Sequence, residues 1–116
     1  MTQAQVIDAS PGRVNIKGLV QGDSLQRTIT IKDGDYSAYT FAAKVELNDG
    51  TTSAFTVGTP AYASPDTSVV ITLPAATTAT FDVGDVLDWD LQWTDPDGLV
   101  RTLARGKIRV LEQVTT

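Results

Sequence analysis

The chain has 116 residues with no cysteine and no histidine, and its nine basic and fourteen acidic residues give a net charge of −5. The absence of both residue types excludes disulfides, thiolate metal sites and a histidine general base, so no cofactor is expected. The acidic balance argues against nucleic acid as a partner, because phosphate binding requires clustered positive charge, and the length suits one domain with a single core.

The first thirteen residues are polar and end in the turn signal Ser10-Pro11-Gly12. This predicts an N-terminal arm over residues 1–13 and a folded domain over residues 14–116. The start of the chain has neither the basic residues nor the apolar core of a signal peptide, and no stretch reaches the length of a membrane span. We therefore expect synthesis in the cytoplasm without a signal peptide, and no membrane partner.

Candidate strands then follow one another at nearly regular spacing. Residues 24–32 and 40–48 alternate between apolar and polar side chains, which is typical of strands with one buried face. The sequence Asn48-Asp49-Gly50 is a strong hairpin turn signal after the second of these segments. Strand patterns are also found in residues 14–20, 51–59 and 66–73.

Residues 85–114 have the pattern of one long β-hairpin. On its first arm, apolar and polar side chains separate onto two faces, namely Leu87, Trp89, Leu91 and Trp93 against Asp88, Asp90 and Gln92. On its second arm the two faces are Val100, Thr102, Ala104, Gly106, Ile108 and Val110 against Arg101, Arg105, Lys107 and Arg109. Such alternation predicts a strand pair with one buried and one solvated face.

The turn of this hairpin allows two registers. A four-residue loop over residues 95–98 would pair Trp89 with Ala104 and Asp88 with Arg105, which keeps the apolar residues on one face. A three-residue loop, with the turn glycine in the left-handed region, would shift the pairing by one and place arginines on the tryptophan face. We favour the four-residue loop, because a one-residue slip turns every side chain over.

About seven strands separated by turn signals, with no more than a single helical turn at residues 74–81, indicate an all-β fold, a single antiparallel β-sandwich. Two packed sheets bury their apolar faces without a ligand, so the large apolar side chains are assigned to the core. The core residues predicted in this way include Phe41, Phe55, Trp89, Leu91, Trp93 and Ile108.

Two acidic features could carry chemistry. Asp88 and Asp90 share a strand face and could act as an acid/base pair on glycosidic bonds, but opposing arginines would keep both ionised, which favours a salt-bridged outer face. The turn from Asp95 to Gly98 begins like a calcium-binding loop, yet the twelfth position of such a loop is Gly106 rather than the closing glutamate. We therefore expect no catalytic residue and no metal site.

Five residues are predicted as partner contacts. Tyr36, Tyr39 and Tyr62 fall in or next to loops and could form an aromatic platform, since tyrosine is enriched at interfaces. Val6 and Ile7 are apolar residues within the polar arm, which could order across a neighbouring subunit. The alternative for the tyrosines is packing onto the ends of the sandwich, which is common for tyrosines in loops.

A motif at the C-terminal end carries a family resemblance. The chain has Gly84, then residues 87–92 (LDWDLQ), 97–103 (DGLVRTL) and 105–110 (RGKIRV), and residues 114–115 are VT. This series resembles the end of the upper-baseplate-protein N-terminal family of tailed phages. Members often close with an aromatic–Asp–aliphatic–Gln strand, a DG turn, a threonine–leucine step, a glycine and a valine–threonine finish.

The resemblance implies an immunoglobulin-like β-sandwich that serves as a virion building block in a baseplate, tail, neck or capsid-decorating position, without catalytic residues. The partners it implies are other virion proteins of the phage and further copies of the chain, with a trimer as one option for the homo-oligomer. The location it implies is the virion, after synthesis in the host cytoplasm.

Two other function classes stay open. A carbohydrate- or receptor-binding sandwich predicts an exposed row of aromatic rings or a calcium site. A glycoside-active enzyme that uses Asp88 and Asp90 needs one carboxyl group with a raised pKa. The leading prediction is a non-enzymatic structural protein whose edge strands and N-terminal arm make the contacts.

Overall fold

The computed structural model describes residues 3–7 and 12–113, with side chains over residues 14–113. Over this part of the chain, two β-sheets pack around one hydrophobic core. The all-β sandwich expected from the sequence is therefore confirmed. The elements are β1 (Gln3–Ile7), β2 (Gly12–Arg13), β3 (Ile16–Val20), β4 (Leu25–Ile31), β5 (Thr40–Glu46), β6 (Thr52–Ala54), β7 (Thr56–Val57), β8 (Ala61–Ala63), β9 (Asp66–Leu73), α1 (Ala75–Thr78), β10 (Val86–Thr94) and β11 (Val100–Leu111).

The strands divide between two sheets. Sheet A contains β1, β4 and β9 in that order, and β7 and β8 both pair with the other side of β9. Sheet B has the order β2, β11, β10, β5, β6, and β3 also pairs with β11. Of the seven strands expected from the sequence, six are present as β3, β4, β5, β9, β10 and β11, and the seventh, residues 51–59, is divided between β6 and β7. The prediction of antiparallel pairing is wrong for β1, β2 and β3, which pair in parallel with β4 or β11.

The core lies where the strand alternation predicts it. On β4, β5 and β9, buried residues alternate with more exposed ones, because successive side chains point to opposite faces. All six residues named from the sequence are buried: Phe41, Phe55, Trp89, Leu91, Trp93 and Ile108. Trp89 and Trp93 expose only 3% and 4% of their surface, so their indole rings are enclosed between the sheets rather than lining a cleft.

One inward position on β4 carries an arginine, which the sequence pattern did not indicate. Arg27 lies between the buried residues Leu25 and Ile29 and is itself buried. Its guanidinium donates hydrogen bonds to the backbone carbonyls of Gln26, at 2.8 Å, and of Lys17. Burial lowers the pKa of Arg27 because desolvation disfavours its charged form. Carbonyl dipoles rather than a carboxylate thus accommodate this cation.

The N-terminal segment contributes a strand to each sheet. Gln3–Ile7 pairs with β4 at the edge of sheet A, and Gly12–Arg13 pairs with β11 at the edge of sheet B. This differs from the sequence expectation of a polar arm outside the core over residues 1–13. Edge strands are held by backbone hydrogen bonds and need no continuous apolar face, so a polar segment can occupy them.

The β10–β11 hairpin exists, but its predicted register is wrong. Thr94 pairs with Val100, and Asp95 and Leu99 are joined by a backbone hydrogen bond of 2.9 Å, which leaves a three-residue loop. The turn glycine, Gly98, has φ +90°, as that loop requires. A β-bulge then adds Leu103 to β11, so Leu91 pairs with Ala104. The bulge restores the alternation that the shorter loop would otherwise invert.

The shifted register changes the pairs on both faces of the hairpin. Trp89 lies opposite Gly106 rather than Ala104, and Asp88 lies opposite Lys107 rather than Arg105. Apart from the tip, the faces themselves are those predicted: positions 104, 106, 108 and 110 are buried, and positions 105, 107 and 109 are exposed. Val100 and Arg101, the two residues of β11 nearest the loop, are both exposed, although the sequence pattern assigns Val100 to the buried face and Arg101 to the solvated face.

The predicted strand over residues 51–59 passes from one sheet to the other. Its first part, β6, pairs with β5 in sheet B, and its second part, β7, pairs with β9 in sheet A. Phe55 lies between them, is buried, and donates its backbone N–H to the carbonyl of Ala43 at 2.9 Å. The sequence predicts one continuous strand here because the alternation of apolar and polar side chains continues through the crossing.

The helical content agrees with the sequence expectation. The four-residue helix Ala75–Thr78 lies within residues 74–81, where a single turn was predicted. Within residues 3–7 and 12–113, the structure contains no helix of the length and apolar character required to cross a membrane.

Candidate functional site

Two of the three tyrosines predicted as partner contacts pack against the core. The rings of Tyr36 and Tyr39 each lie 4.6 Å from the indole of Trp93, measured between centroids, and 5.2 Å from each other. Both tyrosines are half-buried. Tyr62 lies on β8 of sheet A and exposes 44% of its surface. The structure therefore does not bring the three rings together into one platform.

A buried threonine holds the loop that carries Tyr36 and Tyr39. The hydroxyl of Thr67 accepts the backbone N–H of Tyr36 at 2.9 Å and donates to the carbonyl of Gly34 at 2.8 Å. Thr67 is fully buried. Nearby, the carboxylate of Asp35 accepts hydrogen bonds from the hydroxyl and backbone N–H of Ser37, and these bonds lower the pKa of Asp35. The loop is thus fixed by local hydrogen bonds as well as by ring packing.

Replacing Thr67 with valine should reduce the free energy of unfolding by about 1–3 kcal/mol, because it leaves a partly buried N–H and a partly buried carbonyl without partners at nearly constant volume. Urea unfolding measures the change. The matched control is Thr30→Val, whose hydroxyl lies 3.5 Å from that of Ser68, the limit for a hydrogen bond. Equal effects of the two substitutions would contradict the assigned role of Thr67.

The other two predicted contacts, Val6 and Ile7, lie on β1. Their backbones pair in parallel with Thr30 and Ile31 of β4. Their side chains lie outside the described residues, so contact between these side chains and a partner stays a prediction. What the pairing does establish is that both positions sit at the edge of sheet A.

The outer face of sheet B carries a charged depression of about 560 Å³. Six charged residues on three strands line it, with both signs on β5, two carboxylates on β10 and two cations on β11: Lys44, Glu46, Asp88, Asp90, Arg105 and Lys107. Lys107 donates to the carboxylate of Asp88 in an ion pair whose side chains are both at least half exposed. Asp90 lies opposite Lys44 on one side and Arg105 on the other. Asp88 and Asp90 thus each face a cation, and Asp88 also lies opposite Glu46 on β5; the facing cations fit a salt-bridged surface better than an acid/base pair.

The Asp95–Gly98 turn uses its first carboxylate for the fold. One oxygen of Asp95 accepts the backbone N–H groups of Asp97 and Leu99, both at 2.9 Å. Within the described residues, no group of three or more acidic side chains is placed to hold a metal ion. This geometry accounts for the Asp-Pro-Asp-Gly sequence as a turn.

A second depression of about 350 Å³, which we call the base groove, lies at the end of the ribbon away from the turn. Its apolar lining comes from Ile16, Val86 and Leu111, and the last two expose 48% and 41% of their surface. Its charged lining comes from Lys17, Lys107 and Arg109, and no acidic residue lines it. The base groove is therefore an apolar surface bordered by positive charge.

Exposed apolar side chains gather at the two ends of the β10–β11 ribbon. At the turn, Leu99 and Val100 expose 65% and 60% of their surface. At the opposite end, Val83 exposes 46% of its surface, in addition to Val86 and Leu111 of the base groove. The backbone N–H of Gly84, the residue after Val83, donates to the carbonyl of Val110, which places Val83 at this end of the ribbon. In the described part of the chain, these five are all but one of the large exposed apolar residues, the other being Tyr62.

Sequence reasoning missed both of these surfaces, although signals for them exist. Val86 stands on the face of β10 that otherwise carries Asp88 and Asp90, and Leu111 stands on the basic face of β11. An apolar residue on a charged strand face indicates a contact surface. At the turn, Val100 was assigned to the buried face because the predicted register was wrong by one residue there; it lies opposite Thr94 and is exposed.

The motif that resembles the baseplate family forms the β10–β11 ribbon. Its tryptophan is Trp89, its turn ends at Gly98, and its later glycine is Gly106, which lies opposite the tryptophan. Each of these residues has a structural role here, in the core, in the loop or in strand packing. No family model and no curated protein sequence matches the chain.

Proposed function

We propose that this protein is a non-enzymatic structural component of a tailed-phage virion, in a baseplate, tail, neck or capsid-decorating position, acting through protein–protein contacts. The resemblance of the C-terminal motif supports the virion setting. The observation that carries the contact role is the clustering of exposed apolar side chains at the two ends of one ribbon. Single exposed apolar residues are ordinary, but clustered ones mark interaction sites.

The rest of the molecule suits a rigid building block. Both tryptophans are enclosed, and Asp88 and Asp90 of the outer face each lie opposite a cation. β1 forms the edge of sheet A, where unpaired backbone groups can accept a strand from a neighbouring protein. The immunoglobulin-like assignment belongs to the same proposal, supported by seven longer strands divided between two sheets.

The test is the composition of purified particles. Mass spectrometry of phage particles from cells that express this gene should find the chain at a fixed copy number, and antibodies against it should label one site on the particle. A host cytoplasmic protein of similar size serves as the control and should stay in the soluble fraction. Recovery of the chain only in that fraction would refute the proposal. Saturable glycan binding that is lost in a Tyr62→Ala variant would support the carbohydrate-binding alternative instead.

A further inference from the structure

The turn end of the ribbon presents an acidic and apolar surface, which we call the tip patch and define as residues 95–100. Its apolar part is Leu99 and Val100, which are the two most exposed large apolar side chains of the described residues. Its charges are Asp95 and Asp97, with no cation among the six residues. Asp95 is engaged by the turn, whereas Asp97 is exposed at the apex. The tip patch therefore offers apolar contact together with negative charge.

The base groove has the complementary character. Its walls are apolar, and its three charged side chains are all positive. Of these three cations, Lys107 forms an ion pair with Asp88. Lys17 and Arg109 have no ion-pair partner among the described residues. A ligand that brought aliphatic side chains and a carboxylate would match both features of the groove.

The tip patch and the base groove of one molecule cannot meet. From Val100 to Arg109, β11 is about 30 Å long at ~3.3 Å per residue, within a molecule whose longest dimension is 43 Å. Both surfaces lie on the same paired ribbon, whose 12-residue strand keeps them apart. A contact between them must therefore join two copies of the chain.

We propose that the tip patch of one copy docks into the base groove of a second copy, which makes the protein self-associate head to tail. Leu99 and Val100 contact the apolar walls, and Asp97 approaches Arg109 and Lys17. Because the two surfaces differ, each copy keeps one free tip and one free groove after the first contact. The association therefore continues until it closes as a ring or extends as a filament. It is a property of the chain alone and does not depend on the virion role.

The interface is small, so the association should be weak. Contacts below about 1,200 Å² of buried surface belong to the weak class, and we expect a dissociation constant of roughly 10–100 µM. The charged part should make it salt-sensitive, weakening about three-fold to ten-fold between low and high salt. Sedimentation velocity over a concentration series measures both quantities.

The decisive experiment uses two variants that each remove one surface. Leu99→Lys puts a positive charge on the tip patch, which the positive base groove repels, and Arg109→Glu reverses a charge in the base groove; both residues are exposed, and circular dichroism checks that both variants keep the fold. Each variant alone should be monomeric at a concentration where the unaltered chain forms species larger than a dimer. An equimolar mixture should form dimers and nothing larger, because only the intact tip of one variant and the intact groove of the other remain.

Matched controls change the same chemistry elsewhere. Tyr62→Lys puts the same positive charge in place of an exposed ring on sheet A, and Lys32→Glu reverses an exposed charge after β4; both should associate like the unaltered chain. A monomeric unaltered chain at about 1 mM, well above the expected dissociation constant, would overturn the proposal. Variants that associate normally would overturn it too. A mixture that stays monomeric would overturn it as well. Mixing restores a head-to-tail contact, which needs one intact tip and one intact groove, but it does not restore a symmetric contact that needs the same surface on both copies.

Discussion

Replacing Gly106 with alanine should lower the free energy of unfolding by about 3 kcal/mol or more. A β-carbon at this position would lie 1.8 Å from the carbonyl oxygen of Val14, so the backbone itself must move. That segment is held from both sides. Val14 donates to the carbonyl of Arg105 at 2.8 Å and accepts the indole N–H of Trp89 at 2.7 Å, and Asn15 accepts the N–H of Lys107 at 3.0 Å.

Denaturant unfolding followed by tryptophan fluorescence measures the effect of Gly106→Ala. The control is Gly58→Ala on sheet A, where the added carbon would meet the carbonyl of Val70 at an ordinary 3.5 Å. That control should change stability by less than about 1 kcal/mol, because alanine also restricts the unfolded chain. Similar losses for both variants would show that the close approach at Gly106 is absent in solution.

The cause can be separated from a general packing defect by a double-mutant cycle. Trp89→Phe removes the indole N–H and should cost about 1–3 kcal/mol by leaving the carbonyl of Val14 without its donor. In the Gly106→Ala background the segment has already moved, so the same substitution should cost about 1 kcal/mol less. Full additivity would contradict the coupling of Gly106, Val14 and Trp89.

Gly106 also illustrates what the sequence could predict. Alternation placed it on the buried face of β11, and this is where it lies. A glycine inside a strand is a known sign of a bulge or of close backbone approach. At Gly106 the reason is close approach to the backbone of Val14, which is about 90 residues away along the chain. No local sequence pattern encodes a contact between segments so far apart. Local periodicity thus predicts which face is buried, whereas close contacts between distant segments require coordinates.

The hairpin register could not be predicted for a related reason. Two irregularities together keep the faces but not the register: the shorter loop shifts the pairing by one residue, and the bulge at Leu103 shifts it by a second residue in the same direction. Sequence reasoning considered each register with an unbroken strand, so it chose the longer loop to keep the faces separate. Leu103 and Ala104 are adjacent and both buried, which an unbroken strand does not allow and a bulge does. The error assigned Val100 to the buried face, although it lies opposite Thr94 and is exposed, and so concealed the tip patch.

The tyrosine prediction has a different limitation. Tyr36 and Tyr39 occur in a turn-rich stretch, which suggested exposed rings, but their burial is decided by Trp93 on another strand. A loop side chain has no periodicity from which its orientation can be inferred. Tyr62, in an equally polar stretch, is exposed because β8 is a short outer strand of sheet A. Identical residue types in similar sequence surroundings thus have different roles.

Replacing Trp93 with alanine should cost about 3–5 kcal/mol of unfolding free energy, the range for deleting a large buried aromatic side chain. Trp93 is 4% exposed and contacts the rings of Tyr36 and Tyr39, with Phe41 further away at 6.2 Å. Its loss leaves a cavity beneath the loop and removes the surface on which both tyrosines rest. Urea unfolding gives the magnitude, and hydrogen exchange of the amides in residues 33–39 should become faster in the variant.

The control for Trp93→Ala is Tyr62→Ala, which removes an exposed ring and should change stability by less than about 0.5 kcal/mol. A second cycle combines Trp93→Ala with Tyr39→Ala. If the rings pack as described, removing Tyr39 should cost about 1 kcal/mol less once the indole is gone. If the cost of removing Tyr39 is unchanged, the two rings do not support each other in solution. Tyr39 would then be available as a partner contact, as its position in the sequence first indicated.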